Sequence, residues 1–180
     1  MASTAHVGQP ITWEEWLAMG ETEDRYEVVE GRLQVSAAPS RRQQHAVGEL
    51  FVILRRATGP HGMRVVLDTD WRLWEAPRLQ VRRPDLIVVP SVDLESHQPV
   101  LAVEILSPGN RGTDLVDKVE EYARAGLRHY WVVDLDYGPT VLVYGREGDR
   151  LVERRRYRGD GQVEEAEPFP ISFRPSELGG

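Results

Sequence analysis

Two carboxylates stand in stretches of this sequence where a charge is costly. Asp85 opens the apolar run Leu86-Ile87-Val88-Val89, and Glu104 lies inside Leu101-Ala102-Val103-Glu104-Ile105-Leu106. Burying an ionised carboxylate without a cation or hydrogen-bond partners is unfavourable. Two of them on adjacent strands would repel by roughly 4 kcal/mol at about 4 Å and an effective dielectric of about 20. A divalent cation between them removes the conflict, and oxygen ligands with an open water position suit Mg²⁺ or Mn²⁺. The third residue of interest is Lys118, the one lysine in a chain with 21 arginines. The arginine excess itself reads as the codon bias of a GC-rich genome. If lysines drift freely to arginine here, the survivor should stand where arginine will not serve.

Composition narrows the chemistry further. The 180 residues carry 22 basic and 29 acidic side chains, a formal charge of −7, and no cysteine. Disulfides, thiolate metal sites and a cysteine nucleophile are therefore excluded. The N-terminal MASTAHVGQP has no apolar segment and the apolar runs are about four residues long, far short of the ~20 that a membrane helix needs. The expectation is a soluble, cytoplasmic protein with no membrane partner. A hydrophobic fraction of 41% with five Trp and six Tyr supports a real core. The acidic balance argues against a protein that coats nucleic acid, but it permits a nuclease with a local basic groove. No GxxxxGK[ST], GxGxxG, HExxH or GxSxG is present, so nucleotide-motor, dinucleotide, zincin and α/β-hydrolase readings lose support.

The elements that must position these residues follow from periodicity and punctuation. Thr12 and Glu15 form a capping box for a short helix ending near Gly20. RYEVVEGRLQVS reads as a hairpin turning at Glu30-Gly31. Ser40 with Gln43 is a second capping box, for an amphipathic helix over 41–58 (Val47, Leu50, Phe51, Leu54) that Gly59-Pro60 ends. Residues 63–74 and 81–89 each read as one strand, and 90–98 as a polar loop leading to a strand at 100–106. Thr113 is the expected cap of a helix running to about Ala125, with Gly126 at its C′ position. Strands follow at 129–135, 140–144 and 151–158, the last an Arg-rich edge (Arg154, Arg155, Arg156, Arg158) that blunts pairing or, as a weaker reading, meets nucleic acid. The tail 159–180 reads as an edge or surface extension. The expected architecture is one domain over 1–180, core about 12–158, α/β with a mixed sheet flanked by helices. On the 113–125 helix the apolar face centres near Val119, which puts Lys118 at its flank with Asp114 and Tyr122 at i−4 and i+4. Two readings stay open: a lysine snorkelling to the sheet edge, and an exposed Asp114–Lys118 pair of a few tenths of a kcal/mol.

The string RRPDLIVVP, followed by VLAVEILSPGNRGTDLVDKVEEYARAGLRHYWVVD, resembles the Uma-type family of restriction-endonuclease-like proteins, bacterial proteins with a PD-(D/E)xK nuclease fold. Upstream, RYEVVEGRLQVSAAPSRRQQHAVGEL is similar to the family's Tyr-Glu hairpin, Pro-Ser break and His-bearing helix, so the resemblance covers most of residues 12–145. It implies that Asp85 is the motif's aspartate and Glu104 its strand acid. Leu106 stands where the motif's lysine is usual, and Lys118 matches a lysine moved to the next helix, with Arg111 and Asp114 before it and Tyr122 after. The implied mechanism is metal-assisted phosphodiester hydrolysis: Asp85, Glu104 and the Ile105 carbonyl holding Mg²⁺, and Lys118 orienting water or steadying phosphoryl charge. Glu27 and His45 match family positions and could line the same cleft, although His45 with Glu49 at i+4 is also an ordinary helix-surface contact. Arg82 and Arg83 are candidates for backbone phosphates, against a reading as solvated charge at a strand start. The favoured function is a Mg²⁺-dependent nuclease acting on DNA rather than RNA, a homo-oligomer by analogy of fold. Its rival is a non-catalytic binding or assembly module that kept the fold.

Overall fold

The structure, a computed structural model, describes residues 7–20, 22, 24–91, 98–107 and 109–179. The expectation of one domain over 1–180 meets two compact units interleaved along the chain: Met1–Ala38 with Asp70–Arg83, and Pro39–Thr69 with Pro84–Gly180.

In the first unit, helix α1 (Trp13–Met19) starts at the expected capping box. Thr12 Oγ1 accepts from Glu15 N at 3.2 Å, and Glu15 Oε2 accepts from Thr12 N at 2.8 Å. Strands β1 (Tyr26–Val29) and β2 (Arg32–Val35) form the expected hairpin. Its turn residues Glu30 and Gly31 both adopt positive φ (51° and 73°), as a tight hairpin turn requires. Strands β4 (Trp71–Trp74) and β5 (Gln80–Arg82) complete a sheet of order β2-β1-β5-β4. Trp16, Tyr26, Val28, Leu33, Leu79 and Val81 make its core.

In the second unit, helix α2 (Arg41–Thr58) rises from the Ser40–Gln43 box and tightens into a 3₁₀ turn at Gly59–His61. A six-stranded sheet of order β10-β9-β8-β7-β6-β3 is built from β3 (Met63–Leu67), β6 (Leu86–Pro90), β7 (Leu101–Ile105), β8 (His129–Asp134), β9 (Thr140–Glu147) and β10 (Arg150–Arg158). Only β7 and β8 pair in parallel among the strands of this sheet. A parallel pair needs a crossover, and helix α3 (Lys118–Arg124) with the turns before it supplies one. Leu101, Val103 and Ile105 point to the core shared with Leu50 and Leu54 of α2. By strand alternation Ala102 and Glu104 point to the other face, where Tyr130 meets Tyr122 of α3 edge-on at 5.2 Å. Arg154, Arg155, Arg156 and Arg158 are exposed on the edge strand β10.

Four sequence expectations need correcting. Residues 63–74 are two strands, β3 and β4, parted where Asp68 takes φ 45°. Residues 81–89 are also two, β5 and β6, parted at Arg83-Pro84-Asp85; proline has no N–H to continue a ladder. In both cases the halves belong to different sheets. Thr113 does not cap the crossover helix. The helical path is already running at Arg111 and passes through a π-helical turn, Thr113–Asp117, with no side-chain cap at Gly112. The tail is not a surface extension: β11 (Val163–Glu165) and β12 (Ile171–Phe173) pair as a hairpin, and Val163, Phe169, Ile171, Phe173 and Leu178 join the core of the second unit. The polar loop expected over 90–98 falls largely on residues 92–97, outside the described residues, as do Pro108 and the first six residues.

The buried tail yields a stability prediction. Phe173→Ala should destabilise by about 3–5 kcal/mol in equilibrium denaturation. A change within about 0.5 kcal/mol, as at a surface position, would contradict the packing described.

Candidate active site

Strand register brings the two predicted carboxylates together. Leu86 lies opposite Val103 and Ile87 opposite Ala102; one step further along the same antiparallel register, Asp85 stands opposite Glu104. Directly opposed residues share a face with their Cβ atoms about 4.5–5.5 Å apart. Asp85 is fixed by the backbone: its Oδ2 accepts from Ile105 N at 2.8 Å, and its carbonyl accepts from Asp68 N at 3.1 Å. Glu104 is 2% exposed. Its Oε1 accepts from both Lys118 Nζ and Tyr122 Oη, each at 2.8 Å.

Lys118 is neither at a flank nor part of a surface pair. It is 5% exposed, and its Nζ also lies 3.0 Å from Asp114 Oδ1. The buried line of the helix runs through Asp114, Lys118 and Tyr122, whereas Val116 is 57% exposed. The physical reason is the π turn. The Lys118 N–H bonds to the carbonyl of Thr113, five residues back; this inserts a residue relative to α-helical spacing and changes the phase that a regular wheel assigns. Tyr130 Oη donates to the Asp114 carbonyl at 3.0 Å, which holds that turn against β8.

The cluster therefore contains three carboxylates, Asp85, Glu104 and Asp114, and one ammonium. The imbalance appears in Glu104, whose carboxyl is pushed up to about 8. Burial is the main cause; Lys118 opposes it, and the neighbouring Asp114 and Asp85 reinforce it. Burial, then Glu104 and Asp114, also raise the Tyr130 phenol well above its ordinary value, so that it stays a donor. Among the described residues no group of three or more acidic, His or Cys side chains is spaced to hold a metal ion. What is present is an oxygen-only donor set, buried carboxylates gathered around one ammonium. Mg²⁺ commonly binds through one or two carboxylates while keeping several waters, and the Asp85–Glu104 pair fits that habit.

The other predicted residues are distributed as follows. Arg111 forks onto Asp134 (2.9 Å to each oxygen) and reaches Asp136 at 3.1 Å, tying the start of the helix to the end of β8. Burial pushes the Asp134 carboxyl up, but the Arg111 bonds and the Asp136 N–H outweigh it and hold the group below its ordinary range. Glu27 and Arg82 belong to the first unit, where they form a buried ion pair at 3.0 Å. Arg82 is thus enclosed rather than solvated or presented to phosphate, and Glu27 also accepts from Arg83 N at 3.0 Å. Arg83 is half-buried, 3.7 Å from Asp70. His45 and Glu49 lie exposed on α2.

Sequence reasoning missed Gln43 and Tyr130. Gln43 was visible as a capping residue, and its Oε1 does accept from Ser40 N at 2.9 Å; its Nε2 also donates to the Ile105 carbonyl at 3.1 Å. Tyr130 carried no signal beyond its place in an apolar strand.

Comparison with known proteins assigns the chain to a family. The chain matches the Uma2 family, described as "Putative restriction endonuclease", over residues 13–176. It is similar to the crystal structure of "a putative nuclease belonging to DUF820" from Anabaena variabilis, with a TM-score of 0.75, 21% identity, and coverage of 94% of this chain and 97% of that one. At that identity the likeness shows the fold. No curated protein matches.

The Glu104 carboxyl gives a pH signature. Its folded value of about 8 lies above its ordinary 4.5, so folding favours the protonated form. This contribution is complete below the unfolded value and is lost as pH rises towards the folded one. Wild-type stability should therefore fall between about pH 5 and pH 8 more steeply than that of Glu104→Gln. Parallel stability curves for the two proteins would show that Glu104 does not titrate in this way.

Proposed function

The chain belongs to the Uma2 restriction-endonuclease family, and from that membership and its buried acidic cluster we propose that it is a metal-dependent nuclease that hydrolyses phosphodiester bonds in DNA rather than RNA. One observation carries the reading. The only lysine of the chain is buried with its ammonium 2.8 Å from Glu104, in a cluster that keeps two further carboxylates. Burying several ionisable groups together costs several kcal/mol per ion, order of magnitude, which points to a role other than stability. Perturbed titratable groups packed this closely are characteristic of functional sites.

Asp85 and Glu104, with the Ile105 carbonyl, would hold Mg²⁺ or Mn²⁺; when bound, the ion supplies Lewis acidity and a more acidic water. Asp85 is aimed by the Ile105 N–H, and the Ile105 carbonyl is aimed by Gln43. Lys118 offers a compact donor that orients water and stabilises charge building on phosphoryl oxygens; a planar guanidinium would not fit the same space between Glu104 and Asp114. Tyr122 and Asp114 hold Glu104 and Lys118 in register. Glu104 must be ionised to receive the cation, so binding displaces its proton. A cytoplasmic setting and a homo-oligomer belong to the same proposal by analogy of fold. Among the described residues no helix is long and apolar enough to cross a membrane. The rival, a non-catalytic module, draws on the net charge of −7.

Two measurements test this. With Mg²⁺ or Mn²⁺, the protein should cleave DNA in a screen of single-stranded, duplex and branched substrates. Asp85→Ala and Glu104→Ala should abolish cleavage, and Lys118→Arg should lower kcat by roughly 10²–10³-fold, the size seen when a preorganised donor is lost. Calorimetry with Mn²⁺ should show release of about one proton per ion at pH 7, fading above pH 9, as expected for a carboxyl near 8. Cleavage unaffected by all three substitutions would sink the catalytic assignment. Metal binding without any cleavage would favour the rival.

A further inference from the structure

Tyr137 has the features of a residue kept for contact with something outside the chain. It is fully exposed, and its backbone φ is +57°. With Gly138 at φ 101° it forms the same positive-φ pair as Glu30-Gly31, here in the turn between the antiparallel strands β8 and β9, where a bulky side chain is nonetheless uncommon. Glycine would relieve the strain and would not expose an aromatic ring to water. The ring has no packing role that could compensate.

Its position makes the contact specific. Tyr137 lies in the turn after β8, the strand paired in parallel with the Glu104 strand so that Ile105 stands beside Val133. Tyr137 is four positions beyond Val133, at most roughly 14 Å of extended chain, or about four base steps at about 3.4 Å each. The turn is anchored from three directions: Asp136 N donates to Asp134 Oδ1 at 2.9 Å, Arg111 reaches both Asp134 and Asp136, and Arg42 donates to the Leu135 carbonyl. Arg42 and Gln43 are consecutive in the first turn of α2, and Gln43 holds the Ile105 carbonyl. One helical turn thus fixes the ends of both β7 and β8. Of the two arginines that anchor the turn, Arg42 is exposed and Arg111 half-buried.

We propose that Tyr137 is a base-stacking platform, flanked by the Arg42 and Arg111 guanidiniums, that receives an unpaired nucleobase beside the Asp85–Glu104–Lys118 site. An aromatic face accepts any base and adjacent cations follow the phosphates, the pairing used by proteins that bind single strands. The substrate class is therefore DNA with unpaired nucleotides (single strands, frayed ends or branch points) rather than uniform duplex. This inference rests on the nuclease reading above, and the test separates the two.

The full-length protein and its Tyr137→Gly and Tyr137→Trp variants are compared on a short single-stranded DNA containing 2-aminopurine and on a blunt duplex of the same sequence. The Tyr137→Gly variant should melt at a higher temperature, because the strain is gone. It should nevertheless bind the single strand roughly tenfold or more weakly and show a raised KM with little change in kcat. Duplex binding should move far less. Tyr137→Trp should restore binding, and its indole fluorescence should be quenched by the unmodified oligonucleotide. Unchanged single-strand affinity in Tyr137→Gly overturns the platform, whether or not the wild type cleaves. A changed oligomeric state in Tyr137→Gly with unchanged DNA affinity overturns it in favour of a protein contact. Loss of 2-aminopurine binding in Tyr137→Gly when the wild type does not cleave keeps the platform and removes the nuclease reading instead.

Discussion

An ammonium held 2.8 Å from a carboxylate inside the protein is the interaction around which the second unit is arranged. Two ions leave water at a penalty of several kcal/mol each, order of magnitude, and their attraction offsets it only when geometry and extra hydrogen bonds are good. The surrounding elements supply those conditions. Tyr122 gives Glu104 its second donor, and Asp114 gives Lys118 its second acceptor. These three helical residues, at i, i+4 and i+8, face one strand, and the chain reaches Lys118 through the π turn at Thr113–Asp117. A turn of that kind needs support, and Tyr130 from below and the Arg111 fork at its start provide it.

The sheet imposes a matching constraint on Asp85. A carboxylate at the beginning of a buried strand could not also be part of a continuous ladder running back through Arg83. Pro84 interrupts the ladder, and the chain enters β6 at Leu86 with Asp85 immediately before it, its carboxylate on the Ile105 N–H. The parallel β7–β8 pair then requires a crossover at the carboxyl end of β7. That puts the start of the Lys118 helix just beyond Glu104 in the chain. Asp85, Glu104 and Lys118 converge through three separate local rules: a proline break, an antiparallel register and a crossover.

Much of this was legible in the residues themselves. The capping boxes at Thr12 and Ser40, the Glu30-Gly31 turn and the Gly126 cap depend on interactions within a few residues, and they stand where the sequence puts them. Asp85 and Glu104 were marked by the mismatch between their charge and their apolar neighbours, and Lys118 by its solitude among arginines. What was not legible depends on distant partners. A β-branched run looks the same whether it stays in one sheet or divides between two, so 63–74 and 81–89 read as single strands. Nothing in Thr113-Asp114-Leu115-Val116-Asp117 announces a π turn, so a regular wheel misplaced the buried face. In the tail, Pro168, Pro170 and the glutamates break the spacing of Val163, Phe169, Ile171 and Phe173, and only the folded chain shows them sharing a core. Gln43 is the same lesson in one amide: the oxygen obeys a local capping rule, while the nitrogen serves a carbonyl 62 residues away.

The charge balance of the cluster ties stability to chemistry. Asp85, Glu104 and Asp114 gather around Lys118, and a protein interior offsets the repulsion among buried carboxylates by taking up a cation or a proton. Glu104 is where a proton goes: its value near 8 follows from its burial and from the two carboxylates beside it. A divalent cation between Asp85 and Glu104 would relieve the same repulsion, so proton and metal would compete for one carboxylate. Lys118 cannot settle the matter alone, because its single charge is already shared between Glu104 and Asp114. An arginine there would carry the same charge, but its wide planar fork would have to fit between two carboxylates and a tyrosine that now converge on one nitrogen or its partner oxygen. Tight convergence on a small ammonium accounts for a lone lysine in a chain that otherwise uses arginine throughout.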